Sequence, residues 1–378
     1  MKLVRVFLPV LLVAGLLGAC APQSQPPPIR TNTFTPSVDS TGVTDVSALM
    51  AAFVASVPDC STISLRPGGL YRMEQTLVLD RRRDLTVRGN DATFELTTPG
   101  DTSTATSLKG TRARPNVRVV NSANISISNL NVIGANPNAG TDDSAYRPEY
   151  EAQHGFDILN SSRVSLLGSS ATDTFGDFIY IGGGYGNLSR SSDVIVRGFN
   201  GVRSGRQGIT MTEASRVLIE DSTLTDVRRS TFDFEPESGA ASVDNVTIRN
   251  NRVNVGRLNF VAAHGRGPID HILVQGNQLT GLALSVQVLD LDGGRRADWS
   301  VIGNSSTYGA GNPSLAVMSF DRVDGLRVQG NRQQMSLRGA AGGPKPLMYL
   351  MKANDCTALQ VGGNVVIDGA GELQPPAA

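Results

Sequence analysis

The segment Val246-Thr247-Ile248-Arg249-Asn250-Asn251 is followed by Ile272-Leu273-Val274-Gln275-Gly276-Asn277 and then by Trp299-Ser300-Val301-Ile302-Gly303-Asn304. Each copy alternates apolar and polar residues and ends in Gly or Asn. From Val196 onward, the second apolar residue of this pattern recurs every 23 to 33 residues. Strands of period two at this spacing, with no helical pattern between them, are typical of the coils of a parallel β-helix. The sequence therefore predicts an all-β solenoid of about ten coils.

Gly and Asn suit the corners of such a coil, because both tolerate left-handed backbone angles. A second strand precedes each corner segment, and its register decides which side chains face outward. One inward-facing residue from each of these strands is predicted to form a single apolar stack: Phe156, Phe178, Ile209, Phe232, Phe260, Leu284, Leu315 and Leu347.

A short helix is predicted within residues 44–57. Its apolar residues share one helix face: Val46, Leu49, Met50, Phe53 and Val54. A solenoid exposes an apolar end unless something covers it, and this helix would cover the first coil.

Four segments resemble the opening of proteins of the pectate-lyase-like superfamily: Asp45-Val46-Ser47, Val57-Pro58-Asp59, Ile63-Ser64-Leu65 and Gly69-Leu70-Tyr71. The later coils resemble bacterial right-handed β-helix repeat proteins. This resemblance covers about residues 38–370 and implies one right-handed parallel β-helix domain that acts on or binds polysaccharide. Because the group includes lyases, hydrolases and epimerases, the activity has to be argued from the site itself.

The N-terminal residues are typical of a secretion signal. Lys2 and Arg5 precede the apolar run 6–17, and the segment Leu17-Gly18-Ala19-Cys20 resembles the lipobox of bacterial lipoproteins. The resemblance implies export and lipidation of Cys20, and Ala21 favours the outer membrane. The predicted organisation is a signal peptide at 1–19, a lipidated Cys and Pro-rich tether at 20–37, the β-helix at 38–370, and a disordered tail at 371–378.

The composition narrows the function classes. The 34 basic and 34 acidic residues cancel, and no basic stripe points to nucleic acid. Cys60 and Cys356 are predicted to lie near opposite ends of the rod, too far apart for a disulfide, and to be buried as small apolar residues. The protein is expected to be a monomer.

Chemistry in a β-helix belongs to outward faces and corners, because the interior is packed. Four stretches in consecutive coils carry unusual polar residues: 153–157, 176–180, 205–209 and 232–237. Asp233 and Glu235 are two residues apart, which places both on one face of a strand. Asp177 is predicted to face outward near them, with His154 as a proton relay and Arg206 between the coils. Glycoside hydrolysis needs two carboxyl groups, one protonated and one ionised, so these five residues are the candidate catalytic set.

Other residues are candidate sugar contacts. The insertion 134–153 contains Tyr146 and Tyr150, which could stack on sugar faces. Asp157, Gln207 and Arg229 are the further candidates.

Two alternatives stay open. A polysaccharide lyase would use an arginine base, with Ca²⁺ held by Asp177, Asp233 and Glu235; no other cofactor is indicated. A non-catalytic glycan-binding module would carry the same outward face.

Overall fold

The computed structural model describes residues 32–100, 114–183, 190–289, 294–308, 316–335, 349–368 and 371–373. Parallel strands wind into a single right-handed β-helix, in which the chain passes through three ladders in turn. The predicted fold class is therefore confirmed. The segments 1–31 and 374–378, and with them Cys20, lie outside the described residues.

The first ladder contains the strands of the sequence repeat. Its members are Asn32–Phe34, Ser61–Ser64, Arg83–Glu95, Ala123–Ile133, Ser162–Leu167, Ser191–Arg197, Ala214–Glu220, Val243–Arg249, Ile269–Gln275, Arg296–Ile302, Val323–Gln329 and Gln360–Gly362.

The second ladder follows it after a tight corner. Its members are Thr41–Asp45, Leu70–Arg72, the C-terminal halves of Arg83–Glu95 and Ala123–Ile133, Ser170–Thr174, Asn200–Ser204, Thr223–Val227, Arg252–Gly256, Gln278–Thr280, Ser305–Tyr308, Arg332–Met335 and Val365–Asp368. Gly371–Leu373 adds to the last of these in antiparallel orientation.

The third ladder closes each coil and carries the candidate site. Its members are Leu77–Asp80, Val117–Val120, Phe156–Leu159, Ile179–Gly182, Ile209–Met211, Phe232–Phe234, Val261–Ala263, Val286–Val288, Ala316–Asp321 and Tyr349–Asn354.

The repeat explains the corner between the first two ladders. Gly276, Gly303 and Gly330 all have φ between 62° and 64°, the left-handed region that glycine occupies without strain. Each is followed by a buried asparagine, and Asn277 and Asn304 bond to the next asparagine along the rod. The terminal Gly-Asn of the repeat thus makes the corner and joins successive coils.

The register of the third ladder differs by one residue from the prediction at two coils. Phe156 and Ile209 pair with Ile179, not Phe178, and Phe232 pairs with Val261, not Phe260. Leu284 precedes the strand in which Val286 holds the stacked position. Phe178 and Phe260 are also fully buried, so apolarity could not separate two consecutive core residues. Leu315 and Leu347 lie outside the described residues.

The predicted helix is present as Ser47–Ser56, with two 3-10 turns later in the chain, Asp143–Ala145 and Pro148–Tyr150. Met50 and Val54 join the same core as the first coils, and Phe53 packs against it. The prediction for Leu49 was wrong, since it is 59% exposed.

The described strands extend beyond residues 38–370, and the prediction that both cysteines are buried was wrong. Asn32–Phe34 pairs with Ser61–Ser64, so ordered structure begins inside the predicted tether, and Gly371–Leu373 lies inside the predicted tail. Cys60 and Cys356 are free, but Cys60 is exposed and Cys356 is only partly buried.

Within the described part of the chain, no helix combines the length and apolarity needed to cross a bilayer.

Candidate active site

The corner between the second and third ladders gathers the polar stretches of three coils. His154, Asp177 and Gln207 each lie two residues before a third-ladder strand, so they occupy equivalent corner positions. Glycines let these corners approach closely: a Cβ at Gly176 would lie 2.4 Å from the Glu151 carbonyl oxygen, and one at Gly208 would lie 2.3 Å from that of Thr231. The glycines of the sequence stretches therefore serve packing between coils.

The outward face of the third ladder carries a column of polar residues. Asp157, Tyr180, Thr210 and Asp233 are paired in register on four consecutive coils. All four are buried although they point away from the core. Asp157 and Asp233 point outward, as predicted. Asp177 lies in the corner before its strand and not on the outward face of that strand.

Arg206 connects three carboxylates. Its Nη1 donates to Asp177 Oδ2 at 3.0 Å, its Nη2 donates to Glu235 Oε2 at 3.1 Å, and its Nε lies 3.8 Å from Glu151 Oε2. Burial disfavours the charge, but these carboxylates outweigh burial and raise the pKa of Arg206 above its ordinary value. Arg206 thus occupies the bridging position that the sequence predicted, with Glu151 as an additional partner.

Gln207 links the two buried aspartates. Its backbone N–H donates to Asp177 Oδ1 and its Nε2 donates to Asp233 Oδ2, both at 2.9 Å. Its Oε1 accepts from the Ser230 backbone at 2.6 Å. Because its polar atoms are engaged within the protein, Gln207 holds the site together and is not a free sugar contact.

Asp233, Glu235 and His264 form the centre of the site, which we call the proton cluster. One oxygen of each carboxyl and one ring nitrogen lie within 4.8 Å of one another. His264 Nδ1 is 3.7 Å from Asp233 Oδ1, and its Nε2 is 3.7 Å from Glu235 Oε1. The imidazole therefore lies between a fully buried carboxyl and one whose side chain is 33% exposed.

The environment separates the proton affinities of the two carboxyls. Burial, together with the Glu235 charge, raises the pKa of Asp233 to about 7. Burial also acts on Glu235, but the nearby His264 and the charge of Arg206 outweigh it and lower the pKa of Glu235. The neighbouring Glu235 carboxylate raises the pKa of His264. These shifts favour a proton on Asp233 and on His264 and a negative charge on Glu235.

His264 was missed from the sequence, and the register error explains why. With Phe232 opposite Val261, Glu235 stands opposite His264; the predicted alignment on Phe260 placed Glu235 opposite Ala263. A sequence feature could have identified it: His264 is one of three histidines in the chain, and it directly follows a third-ladder strand.

His154, the predicted relay, has a different environment. Its Nδ1 accepts from the Asp177 backbone N–H at 2.9 Å, and its ring stacks on Tyr180 with centroids 4.9 Å apart. An accepting Nδ1 carries no proton, so the 3.6 Å approach of Asp177 Oδ2 to the same nitrogen is not an ion pair. His154 is buried and supports Asp177, and the position between two carboxyls belongs to His264.

The predicted sugar contacts are largely engaged within the protein. Asp157 accepts from Arg118 at 2.8 Å and is fully buried. Tyr146 donates its hydroxyl to Glu151 Oε2 at 2.8 Å, and the Arg229 guanidinium lies 5.3 Å from its ring centroid. Tyr150 packs on Phe175. The tyrosines thus stabilise the insertion 134–153 in this conformation.

The proton cluster is a poor site for Ca²⁺. That ion takes about six to eight oxygen ligands. Here one of the three groups is an imidazole, and the cationic Arg206 already bonds Glu235 Oε2. The donor set does not fit the cation expected for a lyase.

Solved structures share this architecture. An endo-xylogalacturonan hydrolase from Aspergillus tubingensis superposes with a TM-score of 0.69 at 13% identity, over 92% of this chain and 95% of that one. The surface adhesin PfbA of Streptococcus pneumoniae superposes with a TM-score of 0.57 at 11% identity, over 92% of this chain and 96% of that one. An alginate lyase from a Paenibacillus strain superposes with a TM-score of 0.50 at 13% identity, over 88% of this chain and 99% of that one.

Sequence comparison adds no closer relative: no protein-family model and no curated protein matches this sequence significantly. At these identities the structural likeness shows the fold alone. The chain has the right-handed parallel β-helix fold that these solved structures share.

Proposed function

We propose that this protein hydrolyses glycosidic bonds of a polysaccharide at the proton cluster Asp233–His264–Glu235. The observation that carries the proposal is the position of the imidazole, 3.7 Å from one oxygen of each carboxyl. Two of the three groups, Glu235 and His264, are each about one-third exposed, while Asp233 lies behind them. A polysaccharide substrate is supported by neighbours that include a xylogalacturonan hydrolase and an alginate lyase.

The geometry suits general acid catalysis. A glycosidic oxygen needs a proton as its bond to the anomeric carbon breaks. The cluster holds such a proton near neutral pH, and the three groups titrate as a unit because they interact closely. His264, at the exposed end beside the charged Glu235, delivers the proton, and Asp233 restores it from behind through the imidazole.

A lyase is a weaker candidate at this site. It needs a base that abstracts a carbon-bound proton, and arginine is the expected base. Arg206 contacts three carboxylates, which hold its proton firmly. A binding module remains the second candidate, and PfbA shows that an adhesin can have this fold.

A polysaccharide screen tests the proposal. Purified protein is incubated with a broad panel, and both new reducing ends and the ultraviolet absorbance of an unsaturated product are followed with and without Ca²⁺. The proposal expects reducing ends without absorbance, lost by at least about a thousandfold in Glu235→Gln. Glu237→Gln, an exposed neighbour two residues away, is the control and should keep its activity.

Either other outcome would reject hydrolysis at this cluster. Absorbance from an unsaturated product would make the protein a lyase. Binding of a glycan with no cleavage in the wild type would make it a binding module.

We also propose, from the sequence alone, that the protein is exported and anchored to the outer membrane through lipid on Cys20. Replacing Cys20 with Ser should release the protein from the membrane fraction. The proposal is contradicted if the variant fractionates like the wild type and the N-terminal peptide of the wild type carries no added lipid mass.

A further inference from the structure

The proton cluster supplies only half of what hydrolysis needs. A second carboxylate must either activate water or attack the anomeric carbon. Asp233 cannot be that group, because it is fully buried and its nearest oxygen lies within 4.8 Å of Glu235. Asp177, the predicted alternative, is also fully buried and accepts from both Arg206 and the Gln207 backbone.

Glu151 has the required exposure. Its Oε2 lies 3.8 Å from Nε of the same guanidinium, and its side chain is 32% exposed. Among the described carboxyls that contact Arg206, Glu151 and Glu235 are the two that solvent reaches; the third, Asp177, is sealed. Both exposed carboxylates therefore lie beside one guanidinium, Glu151 at its Nε and Glu235 at its Nη2.

The segment that carries Glu151 is firmly held. Thr141 bonds Asp226 at 3.2 Å, and Asp143 pairs with Arg228 at 2.8 Å, although both partners are more than 80 residues away in sequence. At the other end, Gln153 accepts from the Gly176 backbone at 2.9 Å. Since the insertion is tied to several coils, the position of Glu151 beside Arg206 is built into the fold.

The side chain is oriented as well. Tyr146 donates its hydroxyl to Glu151 Oε2 at 2.8 Å, and Arg206 approaches the same oxygen. Both contacts stabilise an anionic carboxylate and leave Oε1 without a protein partner among the described residues. A carboxylate with one fixed and one free oxygen is suited to accept a proton from water.

We infer that Glu151 is the catalytic base of this site and shares Arg206 with the Glu235 end of the proton cluster. This rests on the proposed function. Glu151 takes a proton from a water molecule, and the water oxygen forms a bond to the anomeric carbon. The bond from that carbon to the glycosidic oxygen breaks, and the leaving oxygen takes its proton from the cluster. The proton on Glu151 then returns through solvent, so the net reaction consumes one water.

The proposed step fixes the stereochemistry. Water attacks the anomeric carbon directly, from the side opposite the leaving oxygen, as in inverting glycosidases. The first product released should therefore carry the inverted anomeric configuration.

The test compares Glu151→Gln with Glu149→Gln, a nearby change in the 3-10 turn that precedes Glu151, on the polysaccharide that the wild type cleaves. Glu151→Gln should lower kcat at least about a thousandfold with KM changed less than about threefold, while Glu149→Gln stays within about twofold. Azide, which needs no base, should restore turnover in Glu151→Ala and form a glycosyl azide. NMR of the fresh wild-type product should show inversion.

The outcomes separate the two proposals. If Glu235→Gln abolishes cleavage but Glu151→Gln does not, or if the product retains its configuration, Glu151 is not the base and the proton cluster stands. If Glu235→Gln has no effect, the proposed function and this inference both fall. Thermal unfolding of Glu151→Gln at the wild-type temperature shows that a loss of kcat is not a loss of fold.

Discussion

Two regions of this molecule bury polar side chains, and they do so in opposite ways. The first is the asparagine column at the corner between the first and second ladders: Asn251, Asn277, Asn304, Asn331 and Asn364. In it, the Nδ2 of Asn277 donates to Asn304 Oδ1 at 2.8 Å and to the Ile248 carbonyl at 3.0 Å. The same Asn304 Oδ1 also accepts from the Asn277 backbone N–H at 3.0 Å. The internal members are neutral and fully hydrogen-bonded.

The second region is the charged site on the third ladder. Its buried atoms without a hydrogen-bond partner include Asp233 Oδ1, Asp157 Oδ1, His154 Nε2, Thr210 Oγ1 and Arg206 Nε. Such atoms are costly, because they give up hydration without a replacement. The asparagine column repeats from coil to coil, whereas the charged site occurs on a few coils only.

The difference separates polar groups that maintain the fold from polar groups kept for function. A satisfied ladder stabilises each coil on the next, so it serves folding. An unsatisfied, charged cluster lowers stability and is retained where chemistry requires it. Three predictions test this contrast, in order of decreasing effect.

Breaking the asparagine column should lower the stability of the protein more than any other change proposed here. Asn304→Ala removes the acceptor for two buried donors of Asn277 and should lower the free energy of unfolding by about 2–4 kcal/mol. Asn200→Ala, at an exposed position of the second ladder, should change it by less than about 0.5 kcal/mol. Chemical denaturation of both variants measures this, and equal midpoints would show that the column is not a stability element.

Neutralising the buried Asp233 should raise the free energy of unfolding, whereas breaking the asparagine column lowers it. Below about pH 4, Asp233 is protonated in both the folded and unfolded states, so Asp233→Asn should be nearly neutral there. As pH rises toward the folded pKa of about 7, the unfolded state loses its proton first, and the wild type loses stability. Asp233→Asn should therefore stabilise the protein at pH 8 by an amount on the order of 2–3 kcal/mol. A variant less stable than wild type at pH 8 would contradict a costly buried acid.

A smaller effect concerns His264. The Asp233 charge helps to raise the pKa of the His264 imidazole, so Asp233→Asn should lower that pKa. His271, which pairs with Asp244 and Asp298 on the first ladder, provides an internal reference in the same NMR titration and should not move. Equal shifts in both histidines would indicate a general change and not a direct Asp233–His264 interaction.

The fold could be predicted because the repeat encodes it locally. Alternation, spacing and the terminal Gly-Asn of each copy fix strand, coil and corner without long-range information. The site was only partly predictable. Asp233, Glu235 and Arg206 lie in distinctive stretches of sequence. Placing His264 beside them required aligning Phe232 with Val261 and not with Phe260, and both of these consecutive residues are buried.

Glu151 could not be assigned from the sequence for a different reason. It belongs to an insertion that breaks the repeat, and its approach to Arg206 is set by ties to coils far along the chain. Period and alternation carry no information on how such a segment folds back. The sequence therefore predicts the scaffold and one side of the site, and the structure adds the other side.

The most direct test of the account is a titration of Asp233 itself. In protein labelled with ¹³C at aspartate side chains, Asp233→Asn identifies the Asp233 carboxyl signal, which is then followed with pH. A midpoint near 7 would show that a buried carboxyl holds its proton beside Glu235, as the proton cluster requires. A midpoint near the ordinary value of about 4 would mean that Asp233 is an ionised structural group, and the cluster could not act as the acid.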